Sequence, residues 1–198
     1  VGVGVAVVGQ VVGALGGWAV GAEEEGGEIS GPVCGTSYHI NVGWTEEGEG
    51  LETLANGIDE VLEGVDASMS TWREDSELSR FNQRTDQSEW VPISAELFEV
   101  LQKANEISRL TDGAFDVTIG PVVNLWGFGP QARPEKTPSE DSLAKILAAT
   151  GFEKLELQAD PTALRATPPQ YVDLSAIAKG YGVDAVARFL DREGVEAY

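Results

Sequence analysis

The order in which helix-like and strand-like patterns follow one another limits the fold of this chain more than its composition does. Apolar residues recur at helical spacing after Leu51, Ser94 and Ser139, and both serines suit helix N-caps. Short strand-like runs occupy residues 36–42 and a pair of segments between 153 and 166. Because the strands and helices do not alternate as regular β-α-β units, the sequence predicts a single α+β domain of packed helices with a mixed or antiparallel sheet.

The charge of the chain restricts its partners. Its 198 residues include 33 acidic and 13 basic side chains, which give a formal net charge of -20. Such a surface repels nucleic acid and anionic lipid head groups, so we exclude DNA and RNA as main partners. If the ligand is an anion, the protein needs locally placed cations or a metal ion to hold it.

Residues 1–22 carry no charge and are rich in valine, alanine and glycine. Roughly 20 apolar residues suffice to cross a bilayer, and the small residues Val20-Gly21-Ala22 suit a signal-peptidase site. We therefore expect residues 1–22 to be a signal peptide or an N-terminal membrane anchor, followed by a flexible acidic linker at 23–32. Export to the periplasm follows, either free or attached to the inner membrane. A buried glycine-rich segment of the fold is the alternative.

The chain has one cysteine, Cys34, and one histidine, His39. A disulfide within the chain is therefore excluded, and a zinc site built from Cys and His is disfavoured. A Ser-His-Asp triad would depend entirely on His39, which alternates with apolar neighbours as in a strand. We expect His39 to occupy a sheet position.

Residues 172–182 read as a short strand that turns into a helix. A serine N-cap at Ser175 would leave other first-turn amides and the positive end of the helix dipole to attract an anion. Lys179 projects from the same face, and Gly180 and Gly182 suggest close approach to the backbone. The segment predicts a phosphate-recognising corner, although an ordinary capped helix with a surface lysine would show the same pattern. Neither a Walker loop nor a Rossmann fingerprint is present.

Aromatic side chains occur in two predicted loops. Trp72 lies in a polar loop at 71–87, and Trp126 and Phe128 lie in a glycine- and proline-rich loop at 120–138. Aromatic rings beside loops suit a planar ligand on which they can stack. For Trp126 and Phe128 a hydrophobic plug under the loop is the favoured interpretation.

Asp116 lies in the segment Phe115–Ile119, which reads as a strand after a turn at Asp112-Gly113. A carboxylate in an otherwise apolar strand must find a partner or meet a ligand. Asp116 is therefore a candidate binding residue.

Four ordered motifs, at 34–38, 69–82, 113–130 and 172–182, resemble those of the ApbE-type flavin transferases, also called FAD:protein FMN transferases. The resemblance covers approximately residues 30–198. It implies that residues 33–198 are the N-terminal part of a flavin transferase domain, because two further metal ligands of the family lie farther along than Tyr198. The last four residues also read as a strand that has just begun, so we expect the chain to be truncated at its C-terminus.

The resemblance also assigns binding residues. The carbonyl of Ala176 would help to hold a divalent cation, usually Mg²⁺, and no catalytic residue is assigned. Cys34 stands where the family commonly has methionine. The residues that correspond to FAD contacts are Cys34, Trp72, Ala114, Phe115, Asp116, Asp173 and Lys179.

The activity implied by the resemblance is Mg²⁺-dependent transfer of FMN from FAD to a Thr or Ser hydroxyl of a partner protein, with release of AMP. Acceptors in the family include exported or membrane-bound redox subunits. Two alternatives remain open: an FAD pyrophosphatase that yields FMN and AMP, and a non-enzymatic flavin-binding protein of the cell envelope. A carbohydrate-binding domain would explain exposed tryptophans but would leave the corner at Ser175 and Lys179 without a role.

Overall fold

The structure is a computed structural model that describes residues 19–23, 26–33, 35–43, 50–130 and 137–198. It has the predicted α+β fold, with antiparallel strand pairs throughout the described ranges. In chain order the elements are β1 (Ala19–Glu23), β2 (Gly26–Val33), β3 (Thr36–Gly43), α1 (Leu51–Met69), α2 (Glu77–Asn82), β4 (Val91–Pro92), α3 (Ala95–Leu110), α4 (Gly120–Leu125), α5 (Glu140–Ala149), β5 (Leu155–Ala159), β6 (Thr162–Ala166) and α6 (Ala178–Arg192). No helix in these ranges has the length and apolar character needed to span a membrane.

The described residues form two compact units. The first contains β1–β3, α1 as far as Val65, and the chain from Gly180 onward, and the second contains Asp66–Lys179. The strand order is β1-β2-β3 in the first unit and β4-β6-β5 in the second. Long-range contacts in the second unit include those of α3 with β5 and β6.

The core of the first unit lies where one face of β2 and β3 meets α1 and α6. Burial alternates along β3, which places its apolar residues in this core and leaves His39 exposed on the opposite face. His39 is therefore in a sheet position, as predicted, and its Nδ1 lies 3.0 Å from Glu28 Oε1. The buried core residues are Ile29, Tyr38, Ile40, Val42, Leu54, Ala55, Ile58, Val186, Leu190 and Val195.

The structure describes only part of the predicted N-terminal segment and linker. Residues 1–18 of the expected signal peptide or anchor lie outside the described residues. Ala19–Glu23 form β1, which pairs with β2, so most of the expected linker at 23–32 is strand. The glycine content suggested flexibility, but β2 is held on both sides by strand neighbours, and this pairing fixes its backbone.

Serine caps were predicted correctly for two helices of the second unit. Ser94 Oγ accepts the Leu97 amide at 3.2 Å, and Ser139 Oγ accepts the Ser142 amide at 3.2 Å. The short runs between 153 and 166 form the β5–β6 hairpin. Apolar spacing and cap chemistry therefore identify these elements from the sequence.

Two segments predicted as loops contain helices. Within 71–87, Ser76 caps α2 by accepting the Ser79 amide at 2.9 Å, and α2 buries Leu78 and Phe81. Within 120–138, Gly120–Leu125 form α4, which has a proline in its first turn, where the missing amide hydrogen is not needed. Both helices are short, with six residues each, so their apolar periodicity is weak.

The strand predicted at Phe115–Ile119 is also wrong. Val117–Ile119 form a 3-10 helix, with Asp116 at its N-cap. The carboxylate of Asp116 accepts the Thr118 amide in the first turn and so favours a helical start over an extended strand. The turn predicted at Asp112-Gly113 is present, and both residues have positive φ angles, 50° and 78°.

Candidate functional site

The start of α6 is arranged by Asp173 rather than by Ser175. Asp173 Oδ1 accepts both the amide and the hydroxyl of Ser175, at 2.9 and 2.5 Å. The amides of Ile177 and Ala178 then donate to the Leu174 carbonyl, at 2.9 and 2.8 Å, and α6 begins at Ala178. The predicted Ser175 N-cap is therefore wrong, because the preceding carboxylate is a stronger acceptor and engages the serine itself.

Lys179 lies in the first turn of α6 with an exposed side chain. Within the part of the chain that the structure describes, its ammonium group has neither a hydrogen bond nor an ion pair. A Cβ atom built on Gly180 would meet nothing within 4 Å, and one built on Gly182 would make an ordinary contact of 3.7 Å with Leu62. The described protein atoms therefore do not require the glycines, and the surface beside Lys179 is open to a ligand.

The segment before α6 is held by a side chain from α2. Asn82 Nδ2 donates to the Val172 carbonyl, and the Val172 amide donates to Asn82 Oδ1, each at 2.8 Å. The next amide, that of Asp173, donates to the Val117 carbonyl at 2.8 Å. These bonds place the 3-10 helix that follows Asp116 beside the Asp173 segment.

A second amide side chain, that of Gln87, holds the same segment at Gln170, two residues before Val172. Gln87 is 1% exposed, and its Oε1 accepts the Gln170 amide at 2.8 Å. Its Nε2 donates to the carbonyls of Gln170 and Phe81, at 3.0 and 3.1 Å. Sequence reasoning missed both Asn82 and Gln87, since an amide in a polar stretch gives no sign that it pairs with backbone groups 90 and 83 residues away.

Gly120 brings α4 against this segment. A Cβ at Gly120 would lie 2.5 Å from the ring of Tyr171 and 3.2 Å from Asp173 Cβ, so only glycine fits without movement. Burial, together with the negative charge of Asp173, raises the pKa of the Tyr171 hydroxyl above its usual range. Tyr171 therefore stays neutral at physiological pH.

Asp116 finds its partners within the protein. Its Oδ1 accepts the amide and hydroxyl of Thr118, both at 2.7 Å, and its Oδ2 accepts the Phe152 amide at 3.2 Å. Of the two expectations for this carboxylate, a protein partner or a ligand, the structure shows the protein partners. Ala114 and Phe115 are the neighbouring residues that the resemblance assigns as FAD contacts. Ala114 is exposed, and Phe115 is partly buried.

The aromatic loop residues are accessible. Trp72 is 65% exposed, on a turn in which Ser70 Oγ accepts the amides of Trp72 and Arg73, at 3.2 and 3.3 Å. Trp126 and Phe128 are 42% and 70% exposed, so the predicted hydrophobic plug is wrong. The loop backbone folds onto α4, and this leaves the rings at the surface.

The structure groups only part of the predicted set. Lys179 lies in the first turn of α6, Asp173 and Ala176 lie in the segment that leads into it, and Asp116 adjoins that segment through the 3-10 helix. No hydrogen bond between described residues joins Trp72 to this corner. Cys34 lies outside the described residues.

A magnesium ion would require several oxygen ligands, and the described residues offer only part of such a set. Ala176 is exposed, and its carbonyl is an oxygen of the kind that Mg²⁺ prefers. No group of three His, Cys, Asp or Glu side chains that could hold a metal occurs in the described ranges.

Residues 34–198 match the sequence profile of the ApbE family. The chain belongs to the ApbE family. An FAD:protein FMN transferase from Vibrio cholerae is 47% identical over 170 residues, which is 86% of this chain and 50% of that relative. A protein of the same name from Haemophilus influenzae is 44% identical over 176 residues, again covering 86% of this chain and 50% of the relative.

Solved ApbE structures have the same fold. The flavin transferase ApbE from Vibrio cholerae matches with a TM-score of 0.81 and 46% identity, over 85% of this chain and 54% of that one. The apo form of the Pseudomonas stutzeri flavinyl transferase ApbE matches with a TM-score of 0.78 and 31% identity, over 90% of this chain and 54% of that one. The chain thus spans about half the length of the ApbE relatives it matches.

Proposed function

We propose that the protein to which this chain belongs is an FAD:protein FMN transferase, in which the start of α6 binds the diphosphate of FAD. The observation that carries the proposal is Lys179, an exposed ammonium group without a partner among the described residues, in the first turn of a helix of an ApbE-family chain. A helix start and a lysine together favour a phosphate group. The lysine and the helix start also supply the local positive charge that a chain of net charge -20 needs to bind an anion.

The proposed reaction moves a phosphoryl group without redox change. The hydroxyl oxygen of a Ser or Thr on a partner protein attacks the phosphorus that carries riboflavin, and the bond from that phosphorus to the bridging oxygen breaks. The bridging oxygen leaves as part of the AMP phosphate, and the hydroxyl proton passes to water. FMN thus becomes a phosphoester of the acceptor, which we propose is a redox subunit.

The described residues suggest distinct roles in binding. Lys179 offsets charge on the diphosphate and orients it, which is the main protein contribution in phosphoryl transfer. The carboxylate of Asp173 accepts hydrogen bonds only, so it suits a hydroxyl or amine donor of FAD rather than its phosphates. Trp72, exposed on its turn, offers a face on which a flat ring could stack.

We also propose that the reaction requires Mg²⁺, which when bound would neutralise charge on the phosphates. The Ala176 carbonyl is the ligand that this stretch would give, with the remaining ligands coming from elsewhere in the protein. Chelation should abolish transfer, and added Mg²⁺ should restore it. Full activity after exhaustive chelation would exclude the requirement.

The direct test uses the full-length protein with FAD, Mg²⁺ and an acceptor subunit, and follows in-gel flavin fluorescence of the acceptor together with AMP release. Lys179→Ala should lower the transfer rate by about 10- to 100-fold, as expected for the loss of one charged hydrogen bond to phosphate. Lys145→Ala is the matched control, because Lys145 is another exposed lysine of the same unit, on α5. It should transfer FMN at the wild-type rate.

The two alternative functions give different results in the same assay. An FAD pyrophosphatase would release FMN and AMP rapidly without an acceptor. A flavin-binding module would bind FAD tightly with no metal requirement and would be indifferent to Lys179→Ala. A wild-type protein that labels no acceptor contradicts the proposed transferase.

We further propose that the protein is exported to the periplasm, free or membrane-anchored. The support is the uncharged run at 1–22 followed by acidic residues. Expression of the full gene with fractionation of the cells tests this, and recovery in the cytoplasmic fraction alone would refute it.

A further inference from the structure

We propose that Asn82 is a positioning residue for FAD binding, because it fixes the backbone that carries Asp173. Its two hydrogen bonds to Val172, each 2.8 Å, copy the pairing that a neighbouring strand would provide. The inference rests on the proposed function above. It assigns to Asn82 an effect on the ligand that is exerted through Asp173 and not by contact.

The chemistry of the side chain suits this role. A primary amide presents one acceptor and a donor in one plane, like a peptide group, so it can satisfy both polar groups of one residue at once. Val172 is fully buried, at 0% exposure, so its amide and carbonyl have no water to replace Asn82. Losing Asn82 would therefore leave two buried backbone groups unpaired.

Asn82 is itself held in a fixed place. It is the last residue of α2, whose Leu78 and Phe81 are 0% and 1% exposed, and whose first turn is capped by Ser76. Buried packing of α2 thus determines where the Asn82 amide lies. The amide in turn determines where Val172 lies.

The position of Val172 also determines the position of Asp173 and of the start of α6. The next residue is Asp173, whose amide donates to the Val117 carbonyl and whose carboxylate binds Ser175 before α6 begins. Among the described residues, three hydrogen bonds hold the Val172 carbonyl, the Val172 amide and the Asp173 amide. Asn82 makes the first two, and the Val117 carbonyl accepts the third. Because binding sites tolerate displacements of only about 0.5 Å, a shift here would reach the ligand.

The experiment compares Asn82→Ala with Ser94→Ala in the full-length protein. Ser94→Ala is the control because it removes a hydrogen-bonding side chain from the same unit, at the start of α3; the Ser94 hydroxyl bonds to Glu77, at the opposite end of α2 from Asn82, and makes no bond to Asn82 or Val172. The Kd of FAD is measured by fluorescence at a temperature where circular dichroism shows every variant folded. We expect Asn82→Ala to raise the Kd about tenfold or more and Ser94→Ala to change it less than about twofold.

Two further measurements separate positioning from general stabilisation. Hydrogen exchange of the peptide that contains Val172 should accelerate in Asn82→Ala and not in Ser94→Ala. In an Asp173→Ala background, Asn82→Ala should raise the Kd by less than about twofold more, because the two residues act in series. If Asn82→Ala does not fold, Asn82→Asp carries the same expectations, because it keeps an acceptor for the Val172 amide but replaces the donor with an oxygen that faces the Val172 carbonyl.

The outcomes are distinct. Faster exchange with an unchanged Kd would show that Asn82 is only structural and would overturn the inference. An undiminished effect of Asn82→Ala in the Asp173→Ala background would overturn it as well, since the effect would then not pass through Asp173. A wild-type protein that fails to bind FAD would refute the proposed function and, with it, this inference.

Discussion

Replacing Gln87 with leucine should destabilise the second unit strongly, and the contacts of this side chain give the magnitude. Gln87→Leu removes the partners of the Gln170 amide and the Gln170 carbonyl, which both face the buried Gln87 side chain. The Phe81 carbonyl also loses Gln87 but keeps the Arg84 amide at 3.1 Å. Two buried groups are left unpaired at about 1–3 kcal/mol each, so the free energy of unfolding should fall by about 2–6 kcal/mol.

Urea unfolding of the full-length protein, followed by tryptophan fluorescence and extrapolated linearly to water, measures this loss. Gln83→Leu is the matched control, because Gln83 also donates to a backbone carbonyl, that of Glu74 at 2.9 Å, but does so at the surface. Its effect should stay within about 0.5 kcal/mol. Equal effects of Gln83→Leu and Gln87→Leu would refute the reasoning, and so would a Gln87→Leu variant as stable as the wild type.

Gln87→Glu adds a pH test of the same contact. Glutamate keeps an acceptor for the Gln170 amide but turns an oxygen toward the Gln170 carbonyl, so burial should raise the pKa of the new carboxyl. A pKa raised on folding favours the protonated form in the native state, so the relative stability of the variant should be highest below about pH 4.3 and fall as the pH rises. A variant whose deficit is the same at pH 4 and pH 7 would contradict this.

Two further substitutions test packing, one in each unit. Burial, the 2.9 Å hydrogen bond to Asp59 and the charge of that carboxylate raise the pKa of Tyr38. The stabilisation from neutral Tyr38 is therefore complete below the unfolded pKa of about 10 and is lost above it, so alkaline unfolding should be steeper in the wild type than in Tyr38→Phe. Equal slopes would contradict the contact. Gly120→Ala, which places Cβ 2.5 Å from the Tyr171 ring, should cost about 1–3 kcal/mol in urea unfolding, and an unchanged midpoint would contradict the close approach.

The sequence predicted the elements whose signals are local and repeated. Helical spacing with serine caps identified the helices after Ser94 and Ser139, and strand-like runs identified the β5–β6 hairpin. The short helices α2 and α4 escaped because six residues hold fewer than two turns of apolar pattern. The linker prediction erred because the pairing of β2 with its strand neighbours cannot be seen in its own composition.

The helix that carries Lys179 was predictable from the sequence, but the hydrogen bonds of the segment before it were not. Lys179 is exposed at the start of a helix, as its spacing from Ser175 indicated. The choice of Ser175 as the cap was wrong because the Ser175 hydroxyl donates to Asp173, two residues earlier, while the amides of Ile177 and Ala178 donate to the Leu174 carbonyl. The roles of Asn82 and Gln87 could not be predicted, since both depend on backbone groups distant in sequence.

A crystal structure of the full-length protein with FAD bound is the most direct measurement of how this chain engages its ligand. We predict density for the diphosphate bridge beside the first turn of α6, within hydrogen-bonding distance of the Lys179 ammonium. Diphosphate density at another place, or a Lys179 side chain closed into an internal ion pair in the bound state, would contradict that prediction.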